Sequence, residues 1–78
     1  MSDATVRWTL WHDGRNLTCI EYREQGGLEV QVTYDSLPLA SLHCDRIEDA
    51  TRWSEHIRQR WEATGWRPTT SSPQPEAA

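Results

Sequence analysis

The two cysteines and three histidines of this 78-residue chain are the side chains most often used as nucleophiles or metal ligands. None of them shows the close Cys-x-x-Cys or His-x-x-x-His spacing that is usual in zinc sites. The strand order derived below puts one strand between Cys19 and Cys44, so their Cα atoms lie roughly 9–10 Å apart, too far for a disulfide. We therefore expect buried, reduced cysteines, neither metal nor cofactor, and solvated histidines at His12, His43 and His56.

Carboxylates are the next candidates, because two of them in a shielded cleft can act as general acid and general base. The sequence pattern instead places Glu21 and Glu29 on the solvent side of a sheet. A second group falls on the polar side of a helix: Glu48, Asp49, Glu55 and Glu62. Gln25-Gly26-Gly27 has the composition of a hairpin turn rather than of a phosphate-binding loop. We predict no catalytic residue, and a protein that is not an enzyme.

The net charge of −4 disfavours nucleic acid as a partner, because affinity for nucleic acid comes mainly from neutralising phosphates. No apolar run has membrane-spanning length, and the first residues lack the pattern of a signal peptide. We expect a soluble protein of the bacterial cytoplasm, with its cysteines reduced. Residues 1–4 are expected to be flexible and residues 67–78, rich in Pro, Ser and Thr, to be disordered, which leaves one domain over residues 5–66.

Asp13-Gly14 predicts the first hairpin, because both central positions of a two-residue type I′ turn need positive φ. The strand before it alternates over residues 6–12, with an inward set of Val6, Trp8 and Leu10. Closing the hairpin at this turn gives three expected cross-strand pairs: Leu10 with Leu17, Trp8 with Cys19, and Thr9 with Thr18.

The second strand, over residues 16–24, breaks its own alternation. Leu17 and Cys19 share one parity, whereas Ile20 and Tyr22 share the other. A β-bulge near Cys19 and Ile20 would return all four side chains to the core face. Without that bulge, Ile20 and Tyr22 lie on the open face of the sheet, and both alternatives stand.

The third strand, over residues 28–34, alternates regularly, with an inward set of Leu28, Val30, Val32 and Tyr34. After a turn at Asp35-Ser36-Leu37, the fourth strand runs from Pro38 to Cys44, and its proline favours an edge position. If the loop has three residues, the core-facing positions of the fourth strand are Ala40, Leu42 and Cys44.

A helix follows, for which Asp45 is the predicted N-cap, with Glu48 three residues later. Its apolar stripe is Ile47, Ala50, Trp53 (or Ser54), Ile57 and Trp61. Gly65 is placed to end the helix in a left-handed conformation, and Trp66 is expected to fold back onto Trp61.

These elements predict an α+β fold: a four-stranded antiparallel meander sheet with one C-terminal amphipathic helix packed on one face (ββββα). At the level of fold alone, this order resembles the units of PUR-type and Whirly-type single-strand-binding proteins. No motif residue carries that resemblance, so we assign no family from the sequence.

Two functions fit this fold. The first is a protein-interaction domain that forms a homodimer or binds an unidentified protein, because one helix leaves a sheet face and the sheet edges uncovered. Its candidate interface residues, on the open face or an edge strand, are Trp11, Ile20, Tyr22, Leu39 and His43. The alternative is single-stranded nucleic-acid binding on the open face, through residues that the pattern places outward: Arg7, Trp11, Tyr22 and Arg23.

Overall fold

The computed structural model describes residues 3–68, which form five strands and one helix. In chain order these elements are β1 (Asp3–His12), β2 (Arg15–Glu24), β3 (Gly27–Tyr34), β4 (Leu37–Cys44), α1 (Ile47–Glu62) and β5 (Arg67–Pro68). The strands make one antiparallel sheet in the spatial order β4-β3-β2-β1-β5. The α+β class, the four-strand meander and the following helix are confirmed, and β5 is an addition. We call the side on which α1 packs the helix face and the other side the open face.

The first hairpin has the predicted geometry. Asp13 and Gly14 both have positive φ, 55° and 77°, and form a two-residue loop between His12 and Arg15. The three expected pairs are present: Leu10 with Leu17, Trp8 with Cys19, and Thr9 with Thr18. The turn residues therefore set the register of this hairpin.

The irregularity expected in β2 lies in β1. The pairing shifts between Val6 and Trp8, so Arg7 is the extra residue, opposite Cys19 and Ile20. The two adjacent residues of a bulged strand project toward the same face of the sheet, so Arg7 lies with Trp8 on the helix face. The prediction of Val6 as a core residue is wrong, since it pairs with Ile20 on the open face and is 58% exposed.

A second bulge lies in β4. Asp35 and Ser36, both with positive φ, form a two-residue loop, and the pairing shifts between Val32 and Thr33, which leaves Leu39 as the extra residue. The loop is one residue shorter than expected, but the bulge supplies that residue. The expected register is therefore recovered, with Ala40 opposite Val32, Leu42 opposite Val30 and Cys44 opposite Leu28.

The core lies between α1 and the middle of the sheet, and its buried apolar residues are Leu10, Leu17, Cys19, Leu28, Val30, Val32, Cys44, Ala50 and Trp66. Ala50 and Ser54 are the fully buried positions of the helix, with Trp53, Ile57 and Trp61 packed around them. Besides Val6, three expected core residues are exposed. Ala40 and Leu42 are exposed because they lie on the edge strand β4, of which Cys44 alone is buried, and Ile47, at the start of α1, is 42% exposed.

The start of the helix differs from the prediction. Arg46, not Asp45, is the N-cap residue, and it makes no side-chain capping bond. Asp45 is 87% exposed and lies 3.6 Å from Nε2 of His43. Glu48 and Asp49 in the first turn still favour this helix end through the macrodipole.

The end of the helix is as predicted. Gly65 has a φ of 106°, and the backbone N–H of Trp66 donates to the carbonyl oxygen of Trp61 at 3.3 Å, as in a Schellman ending. The two indole rings meet edge to face, with their centroids 5.3 Å apart. Trp66 also contacts the rings of Tyr34 and His12. It is thus the centre of an aromatic cluster that joins the helix end to the sheet.

The limits of the domain are wider than expected. Strand β1 begins at Asp3, inside the segment predicted to be flexible, and Arg67 and Pro68 pair with β1 instead of beginning a disordered tail. The predictions for residues 1–2 and 69–78 lie outside the described residues.

The aromatic cluster yields a stability prediction. Replacing Trp66, which is 7% exposed, by alanine should lower the free energy of unfolding by about 3–5 kcal/mol, because it removes a buried ring and leaves a cavity. Trp11→Ala is the matched control, since Trp11 is 48% exposed, and it should cost less than about 1 kcal/mol. Urea unfolding of both variants tests this, and equal losses would contradict it.

Candidate interaction site

A charged network lies on the helix face, where the sequence pattern predicted apolar residues alone. Glu21 is 4% exposed and its carboxylate accepts hydrogen bonds from two arginines. Arg7 donates to Oε1, and Nε of Arg23 donates to Oε2 at 2.8 Å. The expectation that Glu21 faces solvent is therefore wrong. Two guanidinium groups compensate the burial of its charge.

Arg7 also joins the sheet to the helix. Its Nε donates to Oγ of Ser54 at 3.1 Å, and its Nη2 donates to Oγ1 of Thr51 at 2.6 Å. Ser54 is completely buried, and its hydroxyl donates in turn to the carbonyl oxygen of Thr51 at 3.1 Å. This chain of hydrogen bonds satisfies a buried serine in the middle of α1, a position where the sequence left the choice between Trp53 and Ser54 open.

The electrostatics of Glu21 are a balance between burial and pairing. Burial disfavours the carboxylate, but the hydrogen bonds and charges of Arg23 and Arg7 outweigh burial and hold the pKa of Glu21 below its usual range. The ionised form is therefore the stable one at neutral pH. A paired carboxylate of this kind has no proton to exchange, and its position beneath α1 makes it a structural group.

The open face carries an apolar area along β1 and β2. Val6 pairs with Ile20 and Ala4 pairs with Tyr22 across the two strands. Trp11 lies on the same face toward the other end of β1, where its cross-strand partners are Asn16 and Arg67. The regular pairing of β2 with β3 shows that β2 has no bulge, so the prediction of one there is wrong and the alternative, with Ile20 and Tyr22 on the open face, is confirmed.

The candidate nucleic-acid contacts do not form one surface. Trp11 and Tyr22 lie on the open face, whereas Arg7 and Arg23 lie on the helix face, where both bind Glu21. The outward placement of the two arginines is therefore wrong. The physical reason is that Glu21 is buried and needs both positive charges, which are thus withdrawn from the face that carries the aromatic rings.

Strand β4 is an edge of the sheet, as expected for the strand that begins near Pro38. Of its eight residues, Cys44 is buried and all the others are exposed. His43 and Leu39, the two candidate interface residues of this strand, are both exposed, with Leu39 at 51%. Leu37, Leu42 and Ile47 extend this exposed apolar area. The five candidate interface residues are thus divided between the open face and the β4 edge.

A groove separates α1 from β4 on the helix face, and no pattern in the sequence predicted it. This α1–β4 groove has a volume of about 520 Å³ and is lined by Val32, Leu39, Ala40, Trp53, His56, Ile57, Arg60, Trp61 and Thr64. Its floor comes from the sheet, and its wall comes from the side of α1 that carries Trp53, Ile57 and Trp61. Leu39 reaches it because of the bulge in β4.

The cysteines are buried and unpaired, as predicted. Burial raises the pKa of the Cys19 thiol to about 12 and also raises that of Cys44, so both are protonated at neutral pH and are poor nucleophiles. Within residues 3–68, no group of three or more His, Cys, Asp or Glu side chains is arranged to hold a metal ion.

The charged network yields a double-mutant prediction. Glu21→Leu should destabilise the fold by about 3 kcal/mol, because it leaves Arg7 partly buried without a carboxylate. Combining it with Arg7→Met should recover most of that loss, since no buried charge then remains without a partner; Arg23, which also loses its carboxylate, is 58% exposed and stays hydrated. Arg52→Met is the control, because Arg52 is 80% exposed beside Asp49, and it should change stability by less than about 1 kcal/mol. A double mutant as unstable as the sum of its parts would contradict this account.

The lowered pKa of Glu21 yields a pH prediction. Ionised Glu21 contributes stability that is complete above the ordinary carboxyl pKa of about 4.3 and is lost as the pH falls through its lower folded-state pKa. The free energy of unfolding should therefore fall more steeply below that pH in the wild type than in Glu21→Gln. Urea titrations at a series of acidic pH values measure the difference, and parallel curves would refute the role of Glu21.

No helix in residues 3–68 has both the length and the apolar character needed to cross a bilayer. Comparisons with known protein families, with curated proteins and with solved structures give no significant match to this chain.

Proposed function

We propose that this chain is a non-enzymatic protein-interaction domain that self-associates, and that β4 is the strand through which two copies meet. The observation that carries the proposal is the state of this edge, where seven of the eight residues are exposed. An edge strand presents unpaired backbone N–H and C=O groups, which a second strand can satisfy. Chains that leave such an edge uncovered commonly dimerise through it.

The distribution of exposed apolar side chains supports β4 over the open face. Among residues 3–68, four of the six exposed large apolar residues lie on β4 or at the start of α1: Leu37, Leu39, Leu42 and Ile47. The other two, Val6 and Trp11, are on the open face of β1. Apolar area and unpaired backbone therefore coincide at β4, and their burial in one interface would be favourable in both respects.

The opposite edge of the sheet is less available. Strand β5 pairs with Leu10 and Trp11 of β1, and the bulge at Arg7 interrupts the regular ladder further along the same strand. Both features are known to protect edges against further pairing. One edge is thus open and the other is obstructed, which favours a pair of copies over an extended array.

Antiparallel pairing of β4 with β4 of a second copy is the arrangement that we propose. Its two-fold axis is perpendicular to the sheet, so the two helices lie on the same side of one continuous sheet. The regular part of β4, residues 40–44, supplies the hydrogen-bond ladder. The Leu42 side chain of each copy then lies on the helix face, beside β4 of the other copy. The pattern is self-complementary, as an isologous contact requires.

The test uses a matched pair of variants. Leu42→Arg places a charge at the centre of the proposed ladder and outside the lining of the α1–β4 groove, whereas Val6→Arg places the same charge on the open face, at positions that are 37% and 58% exposed. Sedimentation equilibrium should show a dimer for the wild type and for Val6→Arg, and an association at least about tenfold weaker for Leu42→Arg, because the two-fold axis would bring two like charges together in the interface.

Circular dichroism should show that both variants are folded. A wild-type chain that is monomeric at every accessible concentration would overturn the proposal. A dimer that Val6→Arg disrupts and Leu42→Arg leaves intact would transfer the contact to the open face, where Trp11, Ile20 and Tyr22 lie. The cytoplasmic location and bacterial origin expected from the sequence stay predictions.

A further inference from the structure

The α1–β4 groove combines an apolar lining with a basic rim. Two tryptophans and an isoleucine of α1, each partly buried, form its wall: Trp53, Ile57 and Trp61. Its rim carries His56 and Arg60, one helical turn apart on the same side of α1. None of the nine lining residues is acidic, although the chain as a whole has a net charge of −4. The groove is therefore a local exception to the charge of the protein.

Arg60 differs from most arginines of the chain in its surroundings. Four others pair with carboxylates: Arg7 and Arg23 with Glu21, Arg52 with Asp49, and Arg58 with Glu55 and Glu62. Arg60 is exposed and has no hydrogen-bond or ion-pair partner among residues 3–68. Its guanidinium is thus available to an external anion, and its planar fork matches the geometry of a carboxylate.

The geometry points to the α1–β4 groove as a binding site for a small amphipathic carboxylate. The aliphatic or aromatic tail of the ligand lies against Trp53, Ile57 and Trp61, above the floor formed by Val32 and Ala40. Its carboxylate accepts hydrogen bonds from the guanidinium of Arg60 at the rim. The volume of about 520 Å³ is that of a small-molecule site, which holds a ligand of this class and not a folded partner.

This site and the proposed self-association use adjacent surfaces. A second copy pairs with the backbone edge of β4, whereas the groove lies on the helix face, above the side chains of the same strand. Binding of the ligand needs residues of one chain only. Either proposal can therefore fail without the other, and they are measured by different experiments.

The experiment titrates the full-length protein with decanoate below its critical micelle concentration at neutral pH. Calorimetry and tryptophan fluorescence should both show saturable binding of one decanoate per chain. Arg60→Gln should weaken decanoate binding about tenfold or more, because a charge-assisted pair is lost, and should leave the binding of the uncharged analogue decanol within about twofold. Ala40→Phe should abolish the binding of both compounds, because the added ring fills the groove.

Arg52→Gln is the matched control. Arg52 lies two turns earlier on α1, outside the lining of the α1–β4 groove, and is already close to Asp49, at 3.7 Å. Its replacement should leave decanoate binding unchanged. The proposal is overturned if decanoate shows no saturable binding, if Arg52→Gln weakens it as much as Arg60→Gln, or if decyltrimethylammonium binds as tightly as decanoate. The last result would mean that the groove recognises apolar chains without regard to charge.

Discussion

The burial of Glu21 beneath the helix is the constraint on which the other features depend. A carboxylate in this position needs positive charge nearby, because its desolvation is otherwise too costly. Arg7 supplies it from the neighbouring strand, but regular alternation with Trp8 would point Arg7 to the opposite face. The bulge in β1 resolves the conflict by turning both residues toward the helix. Arg7 then also reaches Ser54 and fixes where α1 crosses the sheet.

The composition of the open face follows from the same bulge. Residues of β1 that precede Arg7 change sides, so Val6 leaves the core and pairs with Ile20. Arg23 stays on the helix face with Glu21. The open face therefore carries Trp11 and Tyr22 without the two arginines, whereas a surface that binds nucleic-acid phosphates needs positive charge beside its aromatic rings. One buried charge thus decides the chemistry of a surface on the other side of the sheet.

Local signals in the sequence predicted several features that neighbouring residues determine, although the helix cap lies one residue later than the expected cap at Asp45. The Asp13-Gly14 turn, the Gly65 ending and the contact of Trp66 with Trp61 were all predicted, because turn chemistry and helix capping involve neighbouring residues. The bulge at Arg7 was not predicted. It depends on the burial of Glu21, and the alternation of apolar residues carries no information about whether a glutamate is buried.

The exposure of β4 is the second feature that the sequence did not predict, and the reason is geometric. The pattern of β4 predicted Ala40 and Leu42 as core residues, yet both are exposed. A helix with its side chains is about 10 Å wide and strands are about 4.8 Å apart, so one helix covers roughly two strand spacings. Which strands of a wider sheet the helix covers is decided by tertiary packing and not by the pattern of any one strand. In this chain seven of the eight residues of β4 stay exposed, which leaves both the open edge and the α1–β4 groove.

Strand β5 has a consequence for the order in which the chain can fold. It pairs the last described residues with the first strand, so its contacts have nearly the greatest sequence separation that residues 3–68 allow. Contacts of this kind form late, because a long loop has to be closed before they contribute. During synthesis, β1 to β4 can pair while β5 is still inside the ribosome. The β1 edge therefore stays open throughout that interval, and it closes last.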